Sequence, residues 1–158
     1  MSDDIDRVWS LMQKFHICMM STWNGSELRV RPMAANFNRD RNAILFLTDT
    51  RWHAAGEIDK YPRLALAFAG HDDQKYVAVS GRGAISNDRA RIKELFSIAA
   101  KAWWDTADDP NIRLLTVTPV DAEYWDGRGK IASAISMAVA VATGSRPTVG
   151  KNRKVSMA

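Results

Sequence analysis

The pair Asn24-Gly25 constrains the fold of this chain more than any other feature of its sequence. It separates residues 17–23 from residues 27–37, and both stretches are rich in residue types that favour β-strands. Asn and Gly tolerate the positive φ angles of a type I′ turn, so the pair predicts a tight antiparallel hairpin. After a polar break at 38–42, residues 43–48 predict a third antiparallel strand.

Hydrophobic spacing predicts further strands and several helices. Apolar residues at helical spacing after Ser2 predict an N-terminal helix over 3–15, and a helix capped by Ser86 or Asn87 is expected to extend towards Trp104. The other predicted elements are a helix over 51–60, strands over 64–69, 76–80, 112–119 and 122–125, and a helix over 131–143. About seven short antiparallel strands predict a mainly β fold, a small barrel with peripheral helices, and exclude a parallel βαβ sheet.

The length and the cysteine count limit the class of protein. With 158 residues the chain fits a single domain, 1–158, that buries a core without disulfides or metal. Cys18 is the only cysteine, which excludes an intrachain disulfide, and we expect a cytoplasmic protein. The acidic start predicts no signal peptide, and the apolar run 131–144 is shorter than the ~20 residues of a membrane span.

The positive charge lies at one end of the chain. The formal net charge is +4, yet six of the 22 Lys and Arg residues follow Asp126 and no acidic residue does. Residues 1–126 therefore hold 16 basic and 18 acidic side chains, and the basic character belongs to the helix and tail over 130–158. The terminal Lys151-Asn-Arg-Lys154 cluster is either a solvated surface or a contact for an acidic partner.

The sequence lacks the motifs of self-contained catalysis. His16, His53 and His71 are isolated, without the spacing of a metal site, so we expect none. There is no nucleophile-elbow motif, and Gly81-Arg-Gly83 lacks the third glycine of a dinucleotide fingerprint, so these glycines instead indicate a bulge or a close backbone approach. Any chemistry is expected to come from a cofactor.

Two segments are candidates for binding a phosphate group. In Leu28–Met33, side chains alternate, so Arg29, Arg31 and Met33 share one face of a strand, and Pro32 predicts an edge or a bulge. Two guanidinium groups on one face can hold a phosphate, although a solvated strand face is the alternative. The second segment, Phe46–His53, runs from a strand into a helix start, where backbone N–H groups attract anions; the alternative is that Asp49 or Thr50 is only an N-cap.

Three further features are interpreted as packing. Cys18 lies in an apolar strand, where a buried thiol is the favoured interpretation. Trp103 and Trp104 are adjacent on a predicted helix, so at most one of them faces a given site. The helix over 131–143 places Ile131 and Ile135 on one side, which predicts packing on the barrel or on a partner subunit rather than on a membrane.

The order of these segments resembles the pyridoxamine 5′-phosphate oxidase-like FMN-binding split-barrel family, and within it the general stress protein branch. The segments that carry the resemblance are spread over nearly the whole chain: Ile17–Met33, Phe46–Ile58, Pro62–Ala69, Val77–Gly81, Asp88–Trp104 and Ala122–Asp126. The resemblance implies a six-stranded antiparallel split β-barrel that forms a homodimer and binds FMN, or FAD in some members, in clefts between the subunits.

The resemblance also implies site residues. Arg31, Pro32 and Met33 would run along the flavin ring, with Arg31 also available to the phosphate. Residues of the second segment would flank the ring and ribityl chain or lie near the phosphate: Phe46, Leu47, Thr48 and Asp49 in the first role, Arg51 and His53 in the second. Trp125 would approach the flavin of the partner subunit.

Two departures from the family pattern affect these expectations. Ala54 stands where many relatives have a phosphate-binding lysine, and the loss of that lysine weakens phosphate binding by about one to two decades in affinity. Trp52 replaces a small hydroxyl residue, and its ring either stacks on a ligand ring or blocks the cleft. After Trp125 the chain continues Asp126-Gly-Arg-Gly-Lys130, without the histidine with which the oxidase holds its substrate. Pyridoxamine phosphate oxidation is therefore disfavoured.

Two classes of function follow from the sequence. The first is a flavin-binding general stress protein, a candidate flavin-dependent oxidoreductase of unidentified substrate, with haem or a deazaflavin as other ligands of the same fold. The second is a non-enzymatic dimeric binding protein whose basic tail engages an acidic partner such as nucleic acid. Of the two, the first is favoured, because the candidate site lies in the acidic body of the chain rather than in its tail.

Overall fold

An antiparallel sheet forms the body of the protein in the computed structural model, which describes residues 2–148 and 150–158. Its strands are β1 (Ile17–Trp23), β2 (Leu28–Ala34), β3 (Asn36–Asn38), β4 (Ala43–Asp49), β5 (Arg63–Gly70), β6 (Lys75–Ser86), β7 (Ile112–Gly127) and β8 (Gly150–Ser156). The helices are α1 (Ser2–Phe15), α2 (His53–Lys60), α3 (Arg89–Leu95) and α4 (Lys130–Thr143), with 3-10 turns at Arg39–Arg41 and Ala99–Ala102.

The strands pair in the order β2-β1-β5-β6-β7-β4-β3, and β8 also pairs with β7. The 16-residue β7 follows β6 along one side, while on its other side the first part pairs with β4 and the last part with β8. The curled antiparallel sheet with peripheral helices confirms the predicted mainly β split-barrel fold. Within the described residues the sheet has eight strands rather than six, because the short β3 continues β2 and the basic tail forms β8.

The predicted hairpin joins β1 to β2, but its turn differs from the expected type I′. Gly25 has a positive φ of 102°, whereas Asn24 is not among the residues with positive φ. The Asn24 side-chain oxygen instead accepts hydrogen bonds from the backbone N–H groups of Ser26 and Glu27. This side-chain turn closes a four-residue loop, so β2 begins at Leu28.

The glycines and the proline of the sheet occupy the positions that their chemistry favours. Pro32 lies in β2, the edge strand, as predicted. β6 is one continuous strand with a bulge between Ser80 and Gly81, rather than a strand that ends at Ser80. A Cβ atom on Gly83 would lie 2.7 Å from Cγ2 of Ile58, so the close backbone approach expected at these glycines is confirmed.

The main core lies between α1 and the inner face of the sheet. Val8, Trp9 and Met12 of α1 are almost fully buried, as the helical spacing predicted. They belong to one cluster with Met20 and Tyr124 from the sheet. Because alternate residues of a strand face opposite sides, the even-numbered residues of β1 point into this core and Met19 points outward.

The third helix is shorter than predicted. α3 is capped by the side chain of Asp88 and ends at Leu95, and a separate 3-10 turn precedes the two tryptophans. Trp104 is buried and Trp103 is exposed. The two tryptophans do not lie on the predicted α-helix, and the rings of both pack against Trp52, so the expectation that at most one of them faces a given site does not hold.

The C-terminal segment differs most from the predictions. α4 forms as predicted, but Ile131 and Ile135 are 80% and 60% exposed, so its expected stripe does not pack on the barrel of the same chain. The basic tail forms strand β8, and Val155 of this strand and Met157 just after it are buried in the main core. In the described part of the chain, no helix combines the length and the apolar character that crossing a membrane requires.

The side of the sheet opposite the core is apolar and exposed. We name as the outer apolar face Ile17, Met19, Trp23, Leu28, Val30, Pro32, Ala65, Ala67, Ala69, Tyr76 and Trp125, which lie on β1, β2, β5, β6 and β7. A cleft of about 550 Å³ opens on this face beside Trp23 and Leu28. Contiguous exposed apolar area of this kind is typical of an interaction surface.

Candidate functional site

A cavity of about 410 Å³ lies between β2, the end of β4 and the start of α2, and we name it the first compartment. Five of the ten predicted site residues line it: Arg31, Met33, Thr48, Arg51 and His53. Arg29, Val30, Trp52 and Ala54 complete the lining. The hairpin therefore brings the Arg-Pro-Met segment to the strand-to-helix segment, although about fifteen residues separate them in sequence.

A second cavity of about 460 Å³, the second compartment, adjoins the first. The two share Arg29, Arg51, Trp52 and His53, and the second adds Asn24, Ser26, Thr50, Gly56 and Glu57. The shared wall thus consists of two arginines, a histidine and an indole. The arginines and the histidine suit an anionic group of a ligand, and the indole gives that group an aromatic neighbour.

The N-terminus of α2 opens towards both compartments. The helix begins at His53, two residues later than predicted, and Trp52 occupies the N-cap position without a side-chain cap. Asp49 and Thr50 are therefore not its N-cap. Because the first N–H groups of a helix have no intrahelical acceptor, this end can bind an anion.

A network that the sequence analysis missed orients Arg31. The guanidinium Nη2 of Arg31 donates to Oγ1 of Thr22 at 2.7 Å and to Oε2 of Glu57 at 3.1 Å. Thr22 in turn donates to the same Glu57 oxygen at 2.8 Å, and Nε of Arg29 lies 3.4 Å from Oε1 of Glu57. Thr22 falls on the buried side of β1, and a polar residue at such a position is a signal that could have indicated a partner.

Two buried donors of the first compartment have no partner in the described residues. Nη1 of Arg31 and Oγ1 of Thr48 are both closed to solvent and make no hydrogen bond. Most buried polar atoms in proteins are hydrogen-bonded, and an unsatisfied one costs about 1–3 kcal/mol. Two such atoms in one cavity indicate a site for an acceptor that the chain itself does not supply.

Asp49 anchors the strand-to-helix segment. Its fully buried carboxylate accepts hydrogen bonds from Nε and Nη2 of Arg51, from the Arg51 backbone N–H, and from Nε1 of Trp104. The Arg51 guanidinium holds the pKa of the Asp49 carboxyl well below its ordinary range, and the indole N–H adds to the effect. Asp49 therefore fixes the direction of Arg51, which lines both compartments.

The indole of Trp52 is held in an aromatic cluster. Its ring centroid lies 5.2 Å from that of Trp104 in a tilted arrangement and 6.0 Å from that of Trp103 in an edge-to-face arrangement. Trp52 is 36% exposed and lines both compartments. Packing thus fixes the ring at the boundary between the two cavities.

The remaining predicted residues lie outside the first compartment. Phe46 is fully buried in the main core, and Leu47 packs against the second apolar cluster beneath α3. Pro32 and Trp125 belong to the outer apolar face, on the opposite side of the sheet from the core.

The loop after Trp125 is occupied by ion pairs within the chain. Asp126 accepts two hydrogen bonds from Arg7 and one from Lys75, and Lys130 pairs with Asp72. Arg7 lowers the pKa of Asp126 to about 2, with Lys75 contributing. The described residues contain no group of His, Cys, Asp and Glu side chains placed to hold a metal ion.

Comparison with known proteins identifies the family. The family model described as pyridoxamine 5′-phosphate oxidase-like matches residues 3–148. The chain belongs to the pyridoxamine 5′-phosphate oxidase-like family. General stress protein 26 of Bacillus subtilis (strain 168) is 30% identical over 105 residues, which cover 64% of this chain and 74% of that protein. This relative confirms the predicted resemblance to the general stress proteins of the family.

Solved structures of family members share the fold. A structure assigned to general stress protein 26 from Jannaschia sp. CCS1 is 25% identical, covers 99% of both chains and has a TM-score of 0.79. The general stress FMN/FAD binding protein of Xanthomonas citri is 21% identical, with a TM-score of 0.69 over 79% of this chain and 89% of that chain. The similarity to the Xanthomonas citri structure supports the split-barrel fold.

Proposed function

We propose that this member of the pyridoxamine 5′-phosphate oxidase-like family binds a flavin nucleotide, with the phosphate in the first compartment. The observation that carries the proposal is a pair of buried donors that find no partner in the described part of the chain, Nη1 of Arg31 and Oγ1 of Thr48. They lie beside the uncapped N-terminus of α2, so a phosphate there accepts hydrogen bonds from side chains and backbone together.

The residues present fit a phosphorylated ligand in charge as well as in hydrogen bonding. Glu57 and Thr22 hold Nη2 of Arg31, and Asp49 holds Nε and Nη2 of Arg51, whereas Nη1 of each arginine has no partner among the described residues. Val30 and Met33 give the same cavity an apolar side for a ring. Both orphaned donors are closed to solvent in this structure, so binding requires the side chains around them to shift.

A bound flavin would supply two-electron redox chemistry, and we propose an oxidoreductase role on that basis. The chain's own contribution is to hold the phosphate, to present an apolar wall to the ring and to limit water access. Oxidation of pyridoxamine phosphate is not part of this proposal. Asp126 and Lys130, which follow Trp125, are engaged in ion pairs within the chain, and the segment contains no histidine.

We also propose a homodimer formed through the outer apolar face. Val30 belongs both to this face and to the first compartment, so a second copy seated on the face would border the site. Trp125, 39% exposed on the same face, is then the residue that reaches the partner's flavin. The continuous apolar surface across five strands supports this arrangement.

The flavin proposal is tested by titrating the purified protein with FMN and with riboflavin, using the change in visible absorbance. Arg31→Ala should weaken FMN by about ten- to a hundredfold and riboflavin much less, because only FMN carries the phosphate. Arg153→Ala, an exposed arginine of β8, is the control and should change neither affinity. Absence of flavin binding in the unmodified protein would refute the proposal, and equal losses for both ligands would refute the role of Arg31.

The dimer is tested by light scattering coupled to size-exclusion chromatography. Leu28→Asp places a charge on the outer apolar face and should give a monomer with weakened FMN binding. Ile98→Asp changes a residue that is 87% exposed outside this face and should leave the dimer intact. A monomeric unmodified protein that binds FMN would refute the interface proposal while leaving the flavin proposal standing.

A further inference from the structure

Two arginines face each other across strands β5 and β6. Arg63 and Arg82 are direct partners in the antiparallel register, and both side chains are exposed. The Cβ atoms of such a pair lie about 4.5–5.5 Å apart, and like charges directly opposite each other destabilise a sheet. Within the described part of the chain, neither guanidinium has a carboxylate at ion-pair distance. The pair therefore lacks the counter-charge that would offset its repulsion.

Both arginines line the cleft of about 550 Å³ that opens on the outer apolar face, and we name it the outer cleft. Its volume is within the range of about 300–1,000 Å³ that ligand pockets generally span. No residue that lines the outer cleft also lines the first or the second compartment. The outer cleft is therefore a cavity separate from the proposed phosphate site.

One wall of the outer cleft is apolar and exposed. Trp23, Leu28 and Val120 line it, and each side chain is more than a third exposed. Covering such side chains with an apolar group is favourable, and the flat indole of Trp23 suits an aromatic ring in particular. The wall and the two arginines together match a ligand with an aromatic body and an anionic head.

A carboxylate in the same cavity limits the charge of that head. Asp121 lines the outer cleft, but its register partner on β6 is Ser80 rather than Arg82. Two arginines and one aspartate leave the lining with a net charge of +1, which a single carboxylate balances. A carboxylate also suits the planar guanidinium group, which binds it through two parallel N–H···O hydrogen bonds.

We propose that the outer cleft binds a small aromatic carboxylate, with its carboxylate between Arg63 and Arg82 and its ring against Trp23 and Leu28. The carboxylate offsets the repulsion between the arginines, and the ring covers the exposed apolar wall. The inference goes beyond the proposed flavin function and does not rest on it, because the two sites share no lining residue. Trp23 and Leu28 also belong to the face proposed for the dimer, so in a dimer the ligand lies between the two copies.

Calorimetric titration with 2-naphthoate tests the inference, and 2-naphthalenemethanol and acetate probe the ring and the head alone. The unmodified protein should bind 2-naphthoate at least tenfold more tightly than either fragment, because both parts of the cleft contribute. Arg82→Gln should weaken 2-naphthoate binding about tenfold. Arg153→Gln, the matched control, removes the same charge from an exposed arginine of β8 outside the cleft and should not change the affinity.

The stability of the same variants gives a second measurement. Without ligand and at low salt, the thermal unfolding midpoint of Arg82→Gln should rise by about 1–3 °C, because the repulsion from Arg63 is removed. The rise should shrink at high salt, which screens exposed charges. Arg153 faces Tyr124 in the register rather than a cation, so Arg153→Gln should show no such rise.

The inference is overturned if the unmodified protein binds 2-naphthoate no better than its neutral alcohol, because the arginines then do not hold the head. An affinity unchanged in Arg82→Gln, or lowered as much in Arg153→Gln, would exclude the outer cleft as the site. A loss in Arg31→Ala instead would place the ligand in the first compartment. A midpoint that does not rise in Arg82→Gln would remove the repulsion on which the proposal rests. Each of these results leaves the flavin proposal standing, because no flavin is used.

Discussion

Replacing Thr48 by Val distinguishes the effect of the buried hydroxyl on the free energy of unfolding from its effect on FMN affinity. Thr and Val are both β-branched and nearly the same shape, so the strand and its pairing with β7 should persist. Because the Thr48 hydroxyl is buried without a partner, removing it should stabilise the free protein by about 1–3 kcal/mol. Removing it also deletes a donor to the phosphate, so FMN should bind about ten- to a hundredfold more weakly.

Urea unfolding followed by tryptophan fluorescence, and FMN titration by absorbance, measure the two effects. With a slope of about 2 kcal/mol/M, the midpoint should rise by about 0.5–1.5 M. Thr22→Val is the contrasting variant, because the buried Thr22 hydroxyl bonds to Glu57 and Arg31, and its loss should lower the midpoint. If Thr48→Val lowers the midpoint as well, or leaves FMN affinity unchanged, then the hydroxyl is not an unmet donor of a phosphate site.

Three further predictions concern two carboxylates and the cysteine. Asp126→Asn should cost about 1–2 kcal/mol at neutral pH. Folding lowers the Asp126 pKa from 3.8 to about 2, so the ionised group stabilises the fold fully above about pH 4. In urea unfolding, the difference from the unmodified protein should therefore shrink below pH 4 and vanish below about pH 2. Asp49→Asn should lower the free energy of unfolding by about 2–4 kcal/mol, since it leaves the buried Trp104 indole N–H facing an amide donor. The loss should be smaller in a Trp104→Phe background, and additive losses would contradict the proposed contact. Burial raises the pKa of the Cys18 thiol to about 12, so a thiol reagent should label it only in urea, and rapid labelling of the folded protein would show that the strand opens.

The sequence predicted the elements whose signals are local. The hairpin between β1 and β2, the edge position of Pro32 and the buried stripe of α1 all follow from turn chemistry and hydrophobic spacing within short windows. The errors arose where a side chain took a backbone partner that spacing does not reveal. Asn24 closed its own turn, and Asp88 rather than Ser86 or Asn87 capped α3.

In the candidate site, too, the sequence identified some residues and missed others. Arg31, Thr48, Arg51 and His53 were identified from residue type and from the expected strand and helix start, and the structure brings them to one cavity. Glu57 was not identified, because its role depends on a helix and two strands meeting. A carboxylate on a short helix is ordinarily solvated, and only the fold buries it against two arginines.

The basic C-terminal tail forms a strand, although its charge suggests a solvated segment. Six basic side chains after Asp126 suggested a solvated or acid-binding segment, and the side chains of Lys151, Arg153 and Lys154 are indeed exposed. The backbone nevertheless forms β8 along the free side of β7. Val155 and Met157 pack into the core, and the charge of the segment does not indicate this contact.

The sequence by itself determined the family, the antiparallel class of the sheet and the identity of most donors of the proposed phosphate site. These depend on local residue order, which a linear reading preserves. Only the tertiary structure decided which donors are free: Thr22 and Glu57 hold one nitrogen of Arg31, and Asp49 holds two of Arg51. Whether a buried donor is satisfied depends on groups far apart in the chain, and the site is defined by the donors that the fold leaves without partners.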